Sequence, residues 1–83
     1  MTRYMIIERF RPGCLEVVYE RFAQQGRMLP AGLYYLDSWL EREGQCCFQL
    51  MKTDNPALFD LWIEKWRDLV DFEIIELGTK PTD

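Results

Sequence analysis

Histidine is absent from the 83-residue chain. Its absence removes the imidazole base of nucleophilic triads, the usual side-chain proton shuttle near neutral pH and the commonest nitrogen ligand for metals. Positive charge is scarce: ten Lys and Arg stand against fourteen Asp and Glu, a formal net charge of −4. That balance argues against nucleic acid or an anionic membrane surface as a partner. There is no run of about 18 apolar residues that could span a bilayer. The opening stretch, residues 1–10, is broken by Arg3, Glu8 and Arg9, which is unlike a signal peptide. Linkers, low-complexity tracts and blocks of like charge are also missing. Residues 1–83 therefore read as one domain, with a polar tail over 78–83 expected to fray.

Cysteine is sparse and odd in number: Cys14, Cys46 and Cys47. Without a secretory signal this points to free thiols in a reducing, cytoplasmic compartment. Cys46 and Cys47 are adjacent in an expected strand, where successive side chains face opposite ways. They cannot readily share a metal, a disulfide between them would strain the strand, and they read as small buried hydrophobes. Asp68 and Asp71 have no third ligand near in sequence, so no metal is expected, and no cofactor either.

What the chain does have is a core: 48% of residues are hydrophobic and 14% aromatic, which excludes disorder. Proline and glycine divide it into six elements. Residues 3–10 are rich in β-branched and aromatic side chains and predict a strand. After Pro12-Gly13, Leu15, Val18 and Phe22 recur with helical spacing, predicting a helix over 14–28. Residues 33–42 and 45–52 predict two strands joined by a turn at Glu43-Gly44. Thr53-Asp54-Asn55-Pro56 is a helix-start signal, and Leu58, Phe59, Trp62, Trp66 and Leu69 form the apolar stripe of a helix over 56–69. Residues 71–77 predict a last strand. The order βαββαβ is that of an α+β, ferredoxin-like sandwich. Right-handed crossovers give an antiparallel four-stranded sheet in the order 4-1-3-2, with both helices on one face.

Two helices cover only one side of such a sheet. Alternation assigns Tyr4, Ile6, Leu36, Leu40, Cys46, Phe48, Leu50, Phe72 and Ile74 to the helix side. It assigns Met5, Ile7, Arg9, Tyr35, Asp37, Trp39, Cys47, Gln49, Met51, Glu73, Ile75 and Leu77 to the open side. The register of the first strand stays open, because both its faces are apolar. In either register the open side is too apolar to meet water. Self-pairing about a two-fold axis covers it, giving a homodimer in which two sheets close into an α/β barrel.

That side also holds the candidate site: Arg9, Asp37, Gln49 and Glu73 are set among Tyr35, Trp39, Cys47 and Met51. Two readings compete. Arg9 pairs with Asp37 or Glu73 to satisfy a covered charge, or the group lines a cavity for a small, partly apolar ligand. Trp62 and Trp66 read as core rather than as a stacking platform. Tyr34 and Tyr35 read as strand filling, or as a pair of phenolic acids.

The stretches Tyr4-Met-Ile-Ile-Glu-Arg-Phe10, Gly26-Arg-Met-Leu-Pro-Ala-Gly-Leu-Tyr-Tyr-Leu-Asp-Ser-Trp39, Phe48-Gln-Leu-Met and Leu69-Val-Asp-Phe-Glu-Ile74 together resemble a family of short bacterial proteins known only as a domain of unknown function, number 3303. The likeness covers residues 3–77. Its parent group resembles the dimeric α/β-barrel superfamily, which includes antibiotic-biosynthesis-type monooxygenases, stress-responsive barrel proteins and muconolactone-isomerase-like enzymes. The resemblance implies a dimer with a central cavity. It carries no catalytic residues to this sequence. Haem-using relatives need an iron ligand, normally His, which is lacking here; cofactor-free relatives do not. Three functions are expected on these grounds. One is a small-molecule-binding or structural module. Another is a cofactor-independent monooxygenase or isomerase acting on a small aromatic or lactone, with Arg9 orienting an anion and Asp37 or Glu73 as base. The third is a regulatory subunit docked on a larger enzyme.

Overall fold

The computed structural model describes residues 1–81. Residues 82–83, the end of the tail expected to fray, lie outside the described residues. The elements are β1 (Thr2–Phe10), α1 (Leu15–Gln25), β2 (Leu33–Leu40), β3 (Cys46–Thr53), α2 (Leu58–Ile63) and β4 (Val70–Glu76). The strands form one sheet in the order β2-β3-β1-β4. Every neighbouring pair is antiparallel, which is the ferredoxin-like arrangement expected from the element order.

Local chemistry sets the boundaries. Gly26 takes φ 67° and returns its N–H to the Phe22 carbonyl at 2.8 Å, stopping α1. Only glycine adopts that conformation without strain. Gly44, at φ 75°, lets the β2–β3 hairpin close, and the Glu41 carboxylate accepts the N–H groups of Glu43 and Gln45 inside it. At the start of α2 the side-chain amide oxygen of Asn55 accepts the Ala57 N–H at 3.2 Å, satisfying a donor that the first turn leaves free.

α2 is shorter than the apolar spacing predicts. After Ile63 the backbone tightens: Lys65, Trp66 and Leu69 donate three residues back, to Trp62, Ile63 and Trp66. This is 3₁₀-type bonding. It keeps Trp62 and Trp66 on the inner side while turning the chain into β4.

The core lies between the sheet and α2 and is built on Tyr4, Ile6, Leu33, Met51, Phe59, Trp62 and Trp66. Phe59 meets the edge of Tyr4 at 5.0 Å between ring centres, and Trp62 meets Phe72 at 5.2 Å. α1 is packed differently. None of its residues is buried, and Tyr19 and Phe22 remain exposed. Val18 alone of this helix packs against the core cluster. α1 therefore stands off the sheet instead of sealing it.

The alternation reading holds for β1 and β4 and fails for β3. Tyr4 and Ile6 are buried, so Met5, Ile7 and Arg9 face the open side. The β1–β3 register sets Gln49 opposite Ile6 and Met51 opposite Tyr4. Directly opposed residues share a face, so Cys47, Gln49 and Met51 point toward the helices, and Cys46, Phe48 and Leu50 take the open side. Met51 and Thr53 are 0% exposed. In β2 the register slips between Tyr35 and Asp37. That bulge absorbs Leu36 and reverses the parity of the residues beyond it. Tyr35 therefore joins the helix side, while Asp37 and Trp39 keep the open side as expected. Leu36, expected inside, is exposed at the bulge.

Candidate functional site

Because α1 stands off the sheet, a cavity of about 190 Å³ opens beneath it. Its floor comes from two rungs of the sheet. Glu8 of β1 lies opposite Cys47 of β3, which lies opposite Leu40 of β2. The next rung sets Ile6 against Gln49 and Gln49 against Ser38. Val18, Tyr19 and Phe22 of α1 form the roof, and Trp62 and Trp66 form one wall.

Arg27 closes the other side. It sits between two residues with left-handed backbone, Gly26 and Met28 (φ 67° and 58°). Its carbonyl accepts both indole N–H groups, Trp62 Nε1 and Trp66 Nε1, each at 3.1 Å. Its guanidinium stacks on Tyr35, 3.5 Å from the ring centre, and lies 4.9 Å from the centre of Phe22. Cation–π contact of this kind holds the flat face of the group. Among the described residues the guanidinium has neither a carboxylate within ion-pair distance nor a side-chain hydrogen bond. The phenol of Tyr35 is bonded to Ser38 Oγ at 2.6 Å, and the Gln49 amide donates to Met51 Sδ at 3.3 Å.

Burial in this apolar surrounding raises the Glu8 carboxyl from 4.5 to about 7, against the lowering effect of the neighbouring Cys47 thiol and of Arg27. A carboxyl there exchanges its proton near neutrality. Burial, together with the negative charge of Glu8, pushes the Cys47 thiol up to about 11. At neutral pH it is a protonated thiol, a poor nucleophile. The cavity thus combines aromatic walls, one cation with its edge free and one carboxyl able to give or take a proton.

The residues singled out from the sequence divide between the two sides of the sheet. Cys47 and Gln49 line the cavity, Tyr35 stands behind it against Arg27 and Ser38, and Met51 is buried in the core beside Gln49. Arg9, Asp37, Trp39 and Glu73 are on the open side, away from the cavity. There Arg9 Nη1 donates to Glu73 Oε1 at 2.9 Å, and Asp37 accepts the backbone N–H of Ser38 at 2.8 Å. Asp68 is held by both guanidinium nitrogens of Arg21 at 2.8 Å and Asp71 by Arg11 at 3.2 Å, so the two aspartates do not face a common ion. Sequence reasoning missed Glu8 and Arg27. Glu8 shares the parity of Tyr4 and Ile6, and a carboxylate on the apolar face of a strand is the signal that could have found it. Arg27 left no such signal, since it lies in a connecting segment.

A family model described as "Domain of unknown function (DUF3303)" matches residues 2–76. No curated protein matches the chain. Among solved structures, a crystal structure of a candidate antibiotic biosynthesis monooxygenase from Chloroflexus aurantiacus J-10-fl is similar over 98% of each chain, with a TM-score of 0.51 and 13% identity. Likeness at that identity speaks for the fold alone. No helix among the described residues is long and apolar enough to cross a membrane.

Proposed function

The chain belongs to the DUF3303 family, and from the cavity beneath α1 we propose that it binds a small single-ring aromatic molecule there, as a cytoplasmic homodimer of one-domain protomers. The observation that carries this reading is the cavity itself. An apolar void of about 150 Å³ is enough to take up benzene, and the 190 Å³ here leaves room for a ring and a substituent. Its walls are aromatic, and its polar groups are few and convergent, the usual make-up of a ligand site. Tyr35, Cys47 and Gln49 belong to this site. Arg9, Asp37, Trp39 and Glu73 belong to the dimer face. Supporting the dimer, the open side of the sheet carries Met5, Ile7, Trp39, Phe48, Leu50 and Ile75, and such a surface in one protomer needs a cover. The three free cysteines accord with a reducing compartment.

A thermal-shift screen of single-ring aromatic compounds tests the binding. A ligand at about 100 times its Kd adds about 2.7 kcal/mol of stability. Val18→Trp, which fills the cavity from its roof, abolishes the shift while the protein stays folded. No shift from any compound, or an unchanged shift in the Val18→Trp protein, overturns the reading.

A second reading is favoured by Glu8. A carboxyl that titrates near neutrality beside an aromatic cavity can take a proton from a bound phenol or an acidic C–H group, as a cofactor-independent oxygenase or isomerase requires. Loss of turnover in Glu8→Gln with ligand affinity retained is the result expected of it.

A further inference from the structure

Arg27 is the charged group of the cavity whose partner is missing. Four other guanidinium groups have carboxylates: Arg9 has Glu73, Arg11 has Asp71, Arg21 has Asp68 and Arg67 has Glu64. Arg27 instead is packed by its faces, against Tyr35 on one side and near Phe22. A guanidinium held by its faces keeps its in-plane N–H groups available, and their fork geometry matches a carboxylate edge-on. Its position is fixed independently of the side chain, because the two indole N–H groups grip its backbone carbonyl. The one carboxyl that shares the cavity, Glu8, is on the far rung beside Cys47 and does not reach it as an ion pair.

We propose that the ligand is a planar aromatic carboxylate, its carboxylate seated on the free edge of Arg27 and its ring between the aromatic roof and wall, with Glu8 at the opposite end. The proposal rests on the cavity reading above and names the class of ligand for that same site. A bound anion changes the surroundings of Glu8. Cys47 from β3 and Arg27 from the segment after α1 act on it directly, Phe72 lies opposite it on β4, and Tyr19, Trp62 and Trp66 line the same cavity. Once a carboxylate neutralises Arg27, Glu8 loses its only positive neighbour there and holds its proton more firmly. Binding then takes up a proton in the pH range where free Glu8 is ionised, and it weakens as pH rises.

Calorimetric titration of the wild-type protein with benzoate and 4-hydroxybenzoate, against benzamide and phenol as neutral counterparts, tests this. The carboxylates bind at least about tenfold tighter than the amide, the scale of one charge-assisted hydrogen-bonded pair. Arg27→Met removes that preference, so that benzoate and benzamide bind the variant equally; Arg27→Lys retains part of it. Glu8→Gln removes the fall of carboxylate binding with pH. Equal binding of benzoate and benzamide, or a preference that survives Arg27→Met, overturns the anion assignment while the cavity reading stands. Binding by neither class overturns both.

Discussion

The indole N–H groups of Trp62 and Trp66 converge on one acceptor, the carbonyl oxygen of Arg27, at 3.1 Å each. Trp62 near the end of α2 and Trp66 in the 3₁₀-type turns after it thereby fix the segment that carries the cation of the cavity. The aromatic stripe that reads as plain core in the sequence is also the mount of the site.

Trp66 accordingly has two effects that separate by substitution. Trp66→Phe keeps most of the packing and removes one donor, with an expected loss of about 1–2 kcal/mol. Trp66→Ala also leaves a cavity and loses roughly 3–5 kcal/mol. Urea denaturation reads both. A Trp66→Ala protein that unfolds at the parent's midpoint would remove this residue from the core.

Glu8 gives stability a defined pH dependence. Its folded pKa of about 7 lies above the ordinary 4.5. Below 4.5 both folded and unfolded chains hold the proton, and the group is neutral in its effect. Between the two values the unfolded chain has released a proton that the folded chain keeps, so stability falls as pH rises, and it levels off above about 7. The fall amounts to roughly 3 kcal/mol, at about 1.4 kcal/mol per pH unit. Glu8→Gln flattens the profile and makes the protein more stable than the parent at pH 8. Superimposable profiles for the two proteins would contradict the buried carboxyl.

Cys47 is expected to be unreactive. In a Cys14→Ser, Cys46→Ser background, iodoacetamide labels it slowly at pH 7.5, and the rate climbs with pH toward about 11, where the thiol ionises. Adding Glu8→Gln removes a negative neighbour and speeds labelling at any fixed pH. Rapid labelling at pH 7.5 would show a thiolate that the site does not support.

The open side of the sheet is tested by mass. Light scattering at micromolar concentration gives twice the 10.0 kDa of one chain. Trp39→Glu, at a position 51% exposed in the protomer, shifts the mass toward a single chain while the far-ultraviolet dichroism and the cavity's ligand response persist. A wild-type mass of one protomer would dismiss the barrel.

Sheet order is legible in the element order and the inward face of β4 in the Phe72-Ile74 alternation, whereas the apolar character of both faces of β1 leaves its register open until Tyr4 and Ile6 are seen buried. The inward face of β3 is not legible. Cys46-Phe48-Leu50 and Cys47-Gln49-Met51 are both largely apolar, so alternation alone does not choose between them. The choice is made by tertiary partners: Gln49 meets Ile6 and finds Met51 Sδ as acceptor. Tyr35 was misplaced for a different reason, since the extra residue at Leu36 has no local signature. The candidate site inherited both errors, so half of its residues were sought on the wrong side. Arg27 is positioned by contacts 35 and 39 residues away in sequence, beyond what local spacing can express.

α1 has no buried residue, so beyond Val18 and the bonds of Arg21 to Lys65 and Asp68 this helix contributes little to the core while supplying the ceiling of the chamber. Substitutions at its inward positions can therefore reshape the space for a guest at small thermodynamic expense. The ceiling is thus the exchangeable part of the molecule, and the strands and tryptophans beneath it are its fixed foundation.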